Sequence, residues 1–176
     1  MSAKHPIIAI TGSSGAGTTS VSKTFEQIFY RENVKAAFVE GDAFHRYDRE
    51  QMKLRMAEEL SRGNHQFSHF GPEANLFAEL GQLFRDYADK GTGRTRKYLH
   101  NEAEAAPYKQ KPGTFTAWED LPQGTDLLFY EGLHGGVAHD GVDVASHVDL
   151  LIGVVPVSYT HLTLPTLARP PARSIR

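Results

Sequence analysis

The feature that most limits how this chain can fold is a glycine-rich segment, Gly12 to Thr19, between a short apolar run and an amphipathic one. The apolar run, 6–11, is mostly β-branched and does not alternate, which predicts a strand buried on both faces of a parallel sheet. From Thr18 to Asn33 apolar residues recur at helical spacing. The glycines therefore connect a buried strand to the start of a helix, which is the context of a phosphate-binding loop.

The rest of the chain continues the alternation of strand-length and helix-length patterns. The predicted strands are 34–40, 126–131 and 148–155, and the predicted helices are 49–60 and 73–87. Residues 94–123 are rich in Pro, Gly and charge, and we expect loops there that could include one short hairpin. The alternation predicts an α/β fold with a parallel sheet flanked by helices, as in P-loop nucleoside triphosphate hydrolases.

Composition limits the classes of partner open to this chain of 176 residues. A formal net charge of -2 gives no reason to expect nucleic acid or an anionic membrane. The absence of cysteine excludes disulfides, thiolate metal sites and a thiol nucleophile. The one apolar run before the first acidic residues, 7–10, is too short for a signal-peptide core or a membrane span. We therefore expect a cytoplasmic enzyme with neither a membrane nor a nucleic-acid partner.

The chemistry of the glycine-rich loop derives from its backbone. Glycines let successive N–H groups turn toward phosphate oxygens, and the following helix adds the positive end of its dipole. A hydroxyl at Thr18 or Thr19 could reach Mg²⁺, although Thr18 stands where such loops usually carry a lysine. A tight glycine turn that binds nothing is the alternative. The residues assigned to ATP binding are Gly12, Ser13, Ser14, Gly15, Ala16, Gly17, Thr18, Thr19 and Ser20.

An acidic residue, Asp42, comes after the second predicted strand, and cationic side chains lie close to it in the sequence. If a helix begins near residue 46, Arg49 and Lys53 share one of its faces at i, i+4 spacing. Together with His45 they suit a kinase acting on a sugar phosphate. Such an enzyme needs a base for the hydroxyl proton and cations for the phosphate already present. A solvated, charged helix is the alternative interpretation.

Two further groups of residues are candidates for the same chemistry. Glu131 ends an apolar strand before a glycine, where a carboxylate could bind Mg²⁺ or could simply be part of a turn. A basic cluster with one aromatic residue consists of Arg94, Arg96, Lys97, Tyr98 and His100. This cluster could form an RNA-binding face or a loop that closes over an anionic sugar phosphate, with His134 as a further candidate.

Four motifs together resemble a known family. They are 12–18 (GSSGAGT), 40–46 (EGDAFHR), 93–98 (GRTRKY) and 128–135 (LFYEGLHG). In this order and spacing they resemble bacterial phosphoribulokinase over residues 4–157, a family in which the missing lysine of the loop is characteristic. The resemblance implies ATP- and Mg²⁺-dependent phosphorylation of D-ribulose 5-phosphate to ribulose 1,5-bisphosphate, a step of carbon dioxide fixation in the Calvin cycle.

The resemblance also implies roles for individual residues. Asp42 matches the family's catalytic base, and Glu131 matches a carboxylate linked to Mg²⁺. On the substrate side the matching residues are His45, Arg49, Lys53, Tyr98 and His100, to which the residue pattern adds His134. Bacterial members of this family form large homo-oligomers and respond to NADH and AMP, and the absence of cysteine agrees with that branch.

Residues 158–176 differ in composition from the rest of the chain. They contain three arginines, three prolines and no acidic residue. We therefore expect residues 1–157 to form a P-loop kinase domain and 158–176 to be an artefactual or disordered tail, with a genuine basic tail as the alternative.

The family continues past residue 157 with a lysine, arginines and a second acidic residue, none of which occurs in 158–176 at family-like positions. The resemblance thus implies that the chain is incomplete and inactive by itself. Two alternative functions stay open from the sequence. One is a uridine-kinase-like nucleoside kinase, and the other is a nucleotide-binding fragment without catalysis.

Overall fold

The computed structural model describes residues 4–156, in which helices cover a parallel sheet. In chain order the elements are β1 (Ile7–Gly12), α1 (Thr18–Arg31), β2 (Ala36–Glu40), α2 (Arg49–Ser61), α3 (Phe77–Lys90), β3 (Arg94–Thr95), α4 (Glu102–Ala105), β4 (Glu119–Asp120), β5 (Leu127–Gly132), β6 (Ala138–His139), β7 (Val142–Asp143) and β8 (Leu150–Val154). The predicted tail, 158–176, lies outside the described residues. Within 4–156 no helix has the length and apolar character needed to cross a membrane.

The main sheet has four parallel strands in the order β2-β5-β1-β8. The two central strands are removed from water on both faces, as shown by Ile7 and Ile10 of β1 and by Leu128 and Phe129 of β5, all buried and each pair divided between the two cores. Strands buried on both faces have no solvent side on which polar residues could alternate. Their continuous apolar runs therefore predicted them correctly, and the predicted P-loop type of α/β fold is confirmed.

Alternate residues of β5 pack into two separate cores. On one face Tyr130 lies against α3, where the rings of Phe84 and Tyr130 meet edge to face at 5.5 Å. On the other face Phe129 packs against Phe25 and Phe29 of α1 at 5.4 and 5.3 Å. Each buried aromatic or aliphatic side chain of this kind contributes roughly 1.5–3 kcal/mol. Packing of both helices on β5 therefore fixes the loop after β1 and the loop before α3.

Helix α3 begins later than its sequence pattern predicted. The pattern covered 73–87, but the helix starts at Phe77, because Pro72–Ala74 forms a 3₁₀ turn and Asn75 is extended with φ -128° and ψ 151°. Asn75 pairs with His45 in an isolated antiparallel bridge. A helical Asn75 could not make this bridge, so a contact between distant parts of the chain overrides the local helical pattern.

The segment 94–123 contains the short antiparallel ladder that the sequence allowed for. Strands β3 and β4 pair through Arg94 with Asp120 and Thr95 with Glu119, and a further bridge joins Tyr98 to Phe115. A long segment that includes α4, and not a tight turn, connects the two strands. The hairpin of β6 and β7 was not predicted, because its two-residue strands are too short to show a period.

Two glycines permit the carboxyl ends of β2 and β5 to approach each other closely. A Cβ added at Gly41 would lie 2.5 Å from the hydroxyl of Tyr130 and 2.9 Å from Cα of Gly132. A Cβ added at Gly132 would lie 2.7 Å from Cα of Gly41. Both positions tolerate only hydrogen, since real Cβ contacts do not reach these distances. This backbone contact brings the residues after β2 next to the end of β5.

We predict that Gly41→Ala lowers the free energy of unfolding by about 1–3 kcal/mol, because the methyl group forces the two strand ends apart. Urea denaturation of the purified chain measures the change. The matched control is Gly153→Ala in β8, where the added Cβ has no neighbour within 4 Å among the described residues. An equal loss of stability in both variants would contradict the close-contact explanation.

Candidate active site

The glycine-rich loop connects the end of β1 to the first turn of α1. Gly15 and Gly17 have left-handed backbone angles, with φ of 80° and 98°, which residues with a side chain rarely adopt. Gly17 is the N-cap of α1 and makes no side-chain capping hydrogen bond. The first N–H groups of the helix and the positive end of its dipole therefore face the loop, an arrangement that suits a phosphate group.

A cavity of about 530 Å³ opens beside this loop at the carboxyl ends of the parallel strands. Its loop side is lined by Gly12, Ser14, Gly15, Thr18 and Thr19. The other residues assigned to ATP lie in the turn and at the start of α1, where Ala16 N–H donates to the Ser13 carbonyl at 3.0 Å and Ser20 N–H to that of Gly17. The structure thus brings five of the nine assigned residues to the cavity wall.

A second cavity of about 260 Å³ lies on the other side of Asp42, toward α2. It is lined by Asp42, His45, Arg49, Lys53, Tyr98 and His100, together with Tyr47, Asp48, Met52, His69 and Ala74. Every residue predicted on the substrate side except His134 is in this set. Four residues belong to both cavities: Asp42, His45, His69 and His100. Asp42 therefore lies at the junction between the loop cavity and this second cavity.

Asp42 is held between two imidazoles. It lies in a 3₁₀ turn, Gly41–Phe44, directly after β2. Nε2 of His45 is 3.2 Å from Oδ1, and Nε2 of His100 is 3.5 Å from Oδ2. The hydrogen bond from His45 lowers the pKa of the Asp42 carboxyl despite partial burial, and the charges of His45 and His100 act in the same direction. Asp42 is accordingly a carboxylate at neutral pH.

Two more carboxylates line the loop cavity. Glu40 and Glu131 are partners in the β2-β5 ladder, so both emerge at the same level of the sheet. Burial raises the pKa of the Glu40 carboxyl, and repulsion from Asp42 and Glu131 adds to the increase, against the opposing charges of His100 and Lys97. One edge of the sheet therefore concentrates negative charge opposite the phosphate-binding loop.

The oxygen ligands beside the loop fit Mg²⁺. Glu131 and the hydroxyl side chains of Thr18 and Thr19 line the same cavity, and Mg²⁺ is typically bound by one or two carboxylates, water and phosphate oxygens. Among residues 4–156 no cluster of three or more His, Cys, Asp or Glu side chains forms a dedicated metal cage. The donor set thus resembles that of a kinase site, in which the nucleotide phosphates complete the coordination.

The substrate-side residues come from three segments. Arg49 is the first residue of α2, whose N-cap Asp48 forms a capping box with Gln51. Its guanidinium donates to the carbonyl of His100 at 2.9 Å and lies 5.9 Å from the ring centre of Tyr98. Lys53 comes one turn later and lines the same cavity. Two cationic side chains from α2 thus line a cavity of about 260 Å³.

His134 lies apart from these residues. It is 9% exposed, its ring packs against Phe77 at 4.8 Å, and Nε2 is 3.3 Å from the carbonyl of Phe70. It is absent from the described lining of both cavities, and burial lowers its pKa. The contacts shown for His134 are with Phe70 and Phe77 and not with the lining of either cavity, so its substrate-binding role stays a prediction.

Arg96 has a role that the sequence did not reveal. Its guanidinium donates to the carbonyl of Ala43 at 2.8 Å and to that of His45 at 2.7 Å. The same group lies 3.7 Å from the ring centre of Phe115 and 4.8 Å from that of Trp118. Arg96 therefore clamps the turn that carries Asp42. The sequence showed it only as one cation of a basic cluster, because both acceptors are distant backbone carbonyls.

Comparison with known proteins places these features in context. The family model described as the Phosphoribulokinase / Uridine kinase family matches residues 7–164. A plasmid-encoded phosphoribulokinase of Cupriavidus necator is 67% identical over 157 residues, which are 89% of this chain and 54% of that relative. A probable phosphoribulokinase of Escherichia coli K12 is 57% identical over the same length. The chain spans about half the length of the curated relatives it matches.

Solved structures agree with the fold. The phosphoribulokinase from Rhodobacter spheroides matches with a TM-score of 0.79 at 50% identity, over 88% of this chain and 52% of that one. A possible uridine kinase from Bacillus stearothermophilus matches with a TM-score of 0.57 over 87% of this chain and 72% of that one. Its identity is 14%, so this second likeness shows the fold alone.

We predict that Arg96→Lys lowers the free energy of unfolding by about 1–3 kcal/mol, because an ammonium group cannot bond both carbonyls and stack flat on the aromatic rings. Urea denaturation measures the change. Arg94→Lys is the matched control, since the Arg94–Asp120 ion pair and the hydrogen bond from Arg94 to the Trp118 carbonyl are both exposed and exposed ion pairs contribute at most about 1 kcal/mol. Similar losses in the two variants would show that the clamp contributes nothing.

Proposed function

Because the chain belongs to the Phosphoribulokinase / Uridine kinase family, we propose that it forms the nucleotide-binding and base-carrying part of a phosphoribulokinase. The reaction is transfer of the γ-phosphoryl group of ATP to D-ribulose 5-phosphate, which gives ribulose 1,5-bisphosphate and ADP. One observation carries this proposal. Asp42 lies where the phosphate-loop cavity meets a second cavity lined by Arg49, Lys53 and His45, so donor and acceptor can meet at a carboxylate.

Asp42 is the proposed general base. The acceptor hydroxyl of the sugar loses its proton to the carboxylate as its oxygen bonds to the γ-phosphorus, and the bond to the ADP oxygen breaks. A base must be unprotonated to act, and the lowered pKa of Asp42 supports this at neutral pH. The contacts with His45 and His100 orient the carboxylate toward the junction of the cavities.

The second cavity is the proposed site for the phosphate that the sugar already carries. Arg49 and Lys53 supply positive charge from one face of α2, and His100 and Tyr98 complete the wall. An arginine binds phosphate through charge-assisted, often bidentate hydrogen bonds. A neutral nucleoside offers these cations no counter-charge, so the lining favours a sugar phosphate over a uridine-kinase-like substrate.

The loop cavity is the proposed ATP site. The backbone N–H groups of residues 12–17 and the amino end of α1 bind phosphate oxygens, and Thr18 or Thr19 with Glu131 would hold Mg²⁺. When bound, Mg²⁺ neutralises charge on the phosphate groups. Thr18 leaves the loop without its usual lysine, so cations from other segments must complete this neutralisation. Homo-oligomer formation, NADH and AMP as effectors and a cytoplasmic location stay predictions from the family resemblance.

A substrate panel tests the proposed function. The chain is assayed as residues 1–176 and as a chimera in which residues 1–157 precede the remaining part of the Cupriavidus necator relative. ADP release is measured with ribulose 5-phosphate, uridine and no acceptor. We expect the chimera to use ribulose 5-phosphate. Preference for uridine would overturn the proposal, and comparable turnover by the two forms would contradict the expectation that 1–176 is inactive.

In the chimera, Asp42→Asn is expected to lower kcat by about 10²- to 10⁴-fold, because the amide cannot accept the hydroxyl proton. Equilibrium binding of ATP should stay unchanged, since Asp42 faces the junction and the loop itself is untouched. Asp120→Asn is the control, because this exposed carboxylate pairs with Arg94 away from both cavities. Near-normal kcat in Asp42→Asn would rule out the role of base.

Arg49→Gln is expected to raise KM for ribulose 5-phosphate roughly tenfold or more, since a hydrogen-bonding partner of the phosphate is lost together with its charge. KM for ATP should change little. The control is Arg62→Gln at the other end of α2, where Arg62 is 65% exposed. A rise confined to KM for ATP would show that the two subsites have been assigned the wrong way round.

A further inference from the structure

Asn75 is a buried residue beside the proposed base that no sequence motif singled out. It is 2% exposed and lies between the 3₁₀ turn Pro72–Ala74 and α3. We propose that Asn75 is a positioning residue: it fixes a hydrogen on Nδ1 of His45, so that His45 carries its second hydrogen on Nε2 and stands beside Asp42 as a cation. The catalytic consequence rests on the proposed function, whereas the protonation state can be measured without it.

The main chain places the two side chains together. Two backbone hydrogen bonds of 2.8 Å, one on each side of the pair, join the segment before α3 to the segment after β2. They make His45 and Asn75 direct partners in an antiparallel bridge. Residues directly opposite in such a bridge have neighbouring side chains on one face. The contact between Asn75 and His45 is therefore set by the backbone.

The hydrogen bonds of Asn75 determine which way its amide faces. Nδ2 donates to the carbonyls of His69 at 2.9 Å and Gly71 at 2.8 Å. A carbonyl only accepts, so the amide nitrogen must be on this side and Oδ1 must face His45, with Nδ1 at 2.9 Å. Oδ1 also only accepts. Nδ1 of His45 must therefore carry a hydrogen.

The opposite ring nitrogen of His45 faces a carboxylate. Nε2 is 3.2 Å from Oδ1 of Asp42. A neutral imidazole with its hydrogen on Nδ1 has a lone pair on Nε2, and this lone pair would oppose the lone pairs of the carboxylate. A second hydrogen, on Nε2, makes the contact attractive. With Asn75 on one side and Asp42 on the other, the arrangement is therefore satisfied by a cationic ring that donates from both nitrogens.

The charges around His45 also favour the cationic form of its ring. Burial acts to lower the pKa of His45, but the hydrogen bond to Asp42, the charge of that carboxylate and the hydrogen bond to Asn75 together raise it. Arg96, which donates to the carbonyl of His45, opposes the increase. Three other titratable groups face the site. His100 contacts the second oxygen of Asp42, and the ring of Tyr98 meets that of His45 edge to face. The third is His134, whose pKa is lowered by burial and by the charge of His45.

A His45 that stays cationic above pH 7 would matter to both cavities that it lines. An ordinary histidine has a pKa near 6.5 and is mostly neutral above pH 7. Held cationic by Asn75 and Asp42, His45 adds positive charge to the sugar-phosphate cavity through this pH range. It also keeps Asp42 as a carboxylate, which is the form needed to accept the hydroxyl proton.

The direct test is imidazole ¹⁵N NMR of the unmodified chain, titrated from about pH 6 to 9. The His45 signals are assigned by their disappearance in His45→Gln. We expect both ring nitrogens to be protonated past pH 7 and the hydrogen on Nδ1 to remain when the ring finally becomes neutral. A neutral ring that keeps its hydrogen on Nε2 would overturn the proposal. This measurement does not depend on catalysis. A chimera that fails to use ribulose 5-phosphate would refute the proposed function and leave the inference about Asn75 and His45 intact.

Variants of Asn75 test the catalytic consequence in the chimera. Asn75→Leu keeps the size of the side chain and removes the acceptor, so KM for ribulose 5-phosphate should rise roughly tenfold near pH 8 and much less near pH 6. Asn75→Asp loses the two hydrogen bonds to the carbonyls of His69 and Gly71, which lowers stability. It keeps an oxygen facing Nδ1, so the folded variant should retain both the Nδ1–H tautomer and a low KM. If Asn75→Leu does not fold, Asn75→Asp alone tests the proposal. Loss of the Nδ1–H tautomer or a raised KM in this variant would overturn it.

A double-mutant cycle separates positioning from a purely structural role. If Asn75 acts through His45, Asn75→Leu should add less than about twofold to KM once His45→Gln is present. A rise in KM that is independent of pH, or that persists in the His45→Gln background, would overturn the proposal.

Discussion

The register of three parallel strands is the constraint on which the site depends. Glu131 of β5 is paired with Ile10 of β1 on one side and with Glu40 of β2 on the other. The three strands therefore end at one level, and the segments after them emerge at the same edge of the sheet. The phosphate-binding loop, the turn of Asp42 and the carboxylate of Glu131 meet for this reason. The contact between Gly41 and Gly132 fixes the final distance between the β2 and β5 ends.

The common level of the strand ends also concentrates negative charge at this edge of the sheet. Three carboxylates and a loop without lysine would leave phosphate binding to backbone dipoles alone. The positive charge comes from elsewhere: from His45, from the start of α2 and from the segment 97–100. Two of the contributors, His45 and His100, are imidazoles held by Asp42. Charge at the junction is consequently shared between Asp42 and His45, because each of them shifts the pKa of the other.

The sequence predicted the features that local pattern and short-range chemistry determine. The buried strands, α1 and the phosphate-binding loop were correct, because unbroken apolar runs and glycine spacing are local signals. The start of α3 was wrong, since the bridge from Asn75 to His45 joins distant segments. Arg96 and Asn75 could not be assigned from sequence for the same reason: their partners are backbone carbonyls and a ring nitrogen brought close only by folding. His134 matched a motif but is buried and absent from the described lining of both cavities.

The clamp formed by Arg96 has a consequence for how a site of this kind can change. Arg96 comes from the segment that also contributes Tyr98 and His100, and it is anchored to the carbonyls on either side of Phe44. The wall of the second cavity and the turn that carries Asp42, the proposed base, are thus fastened together as one block. Under the proposed function, substitutions elsewhere in the lining would change which acceptor fits and leave the turn of Asp42 in place. Specificity and chemistry can therefore diverge independently during evolution.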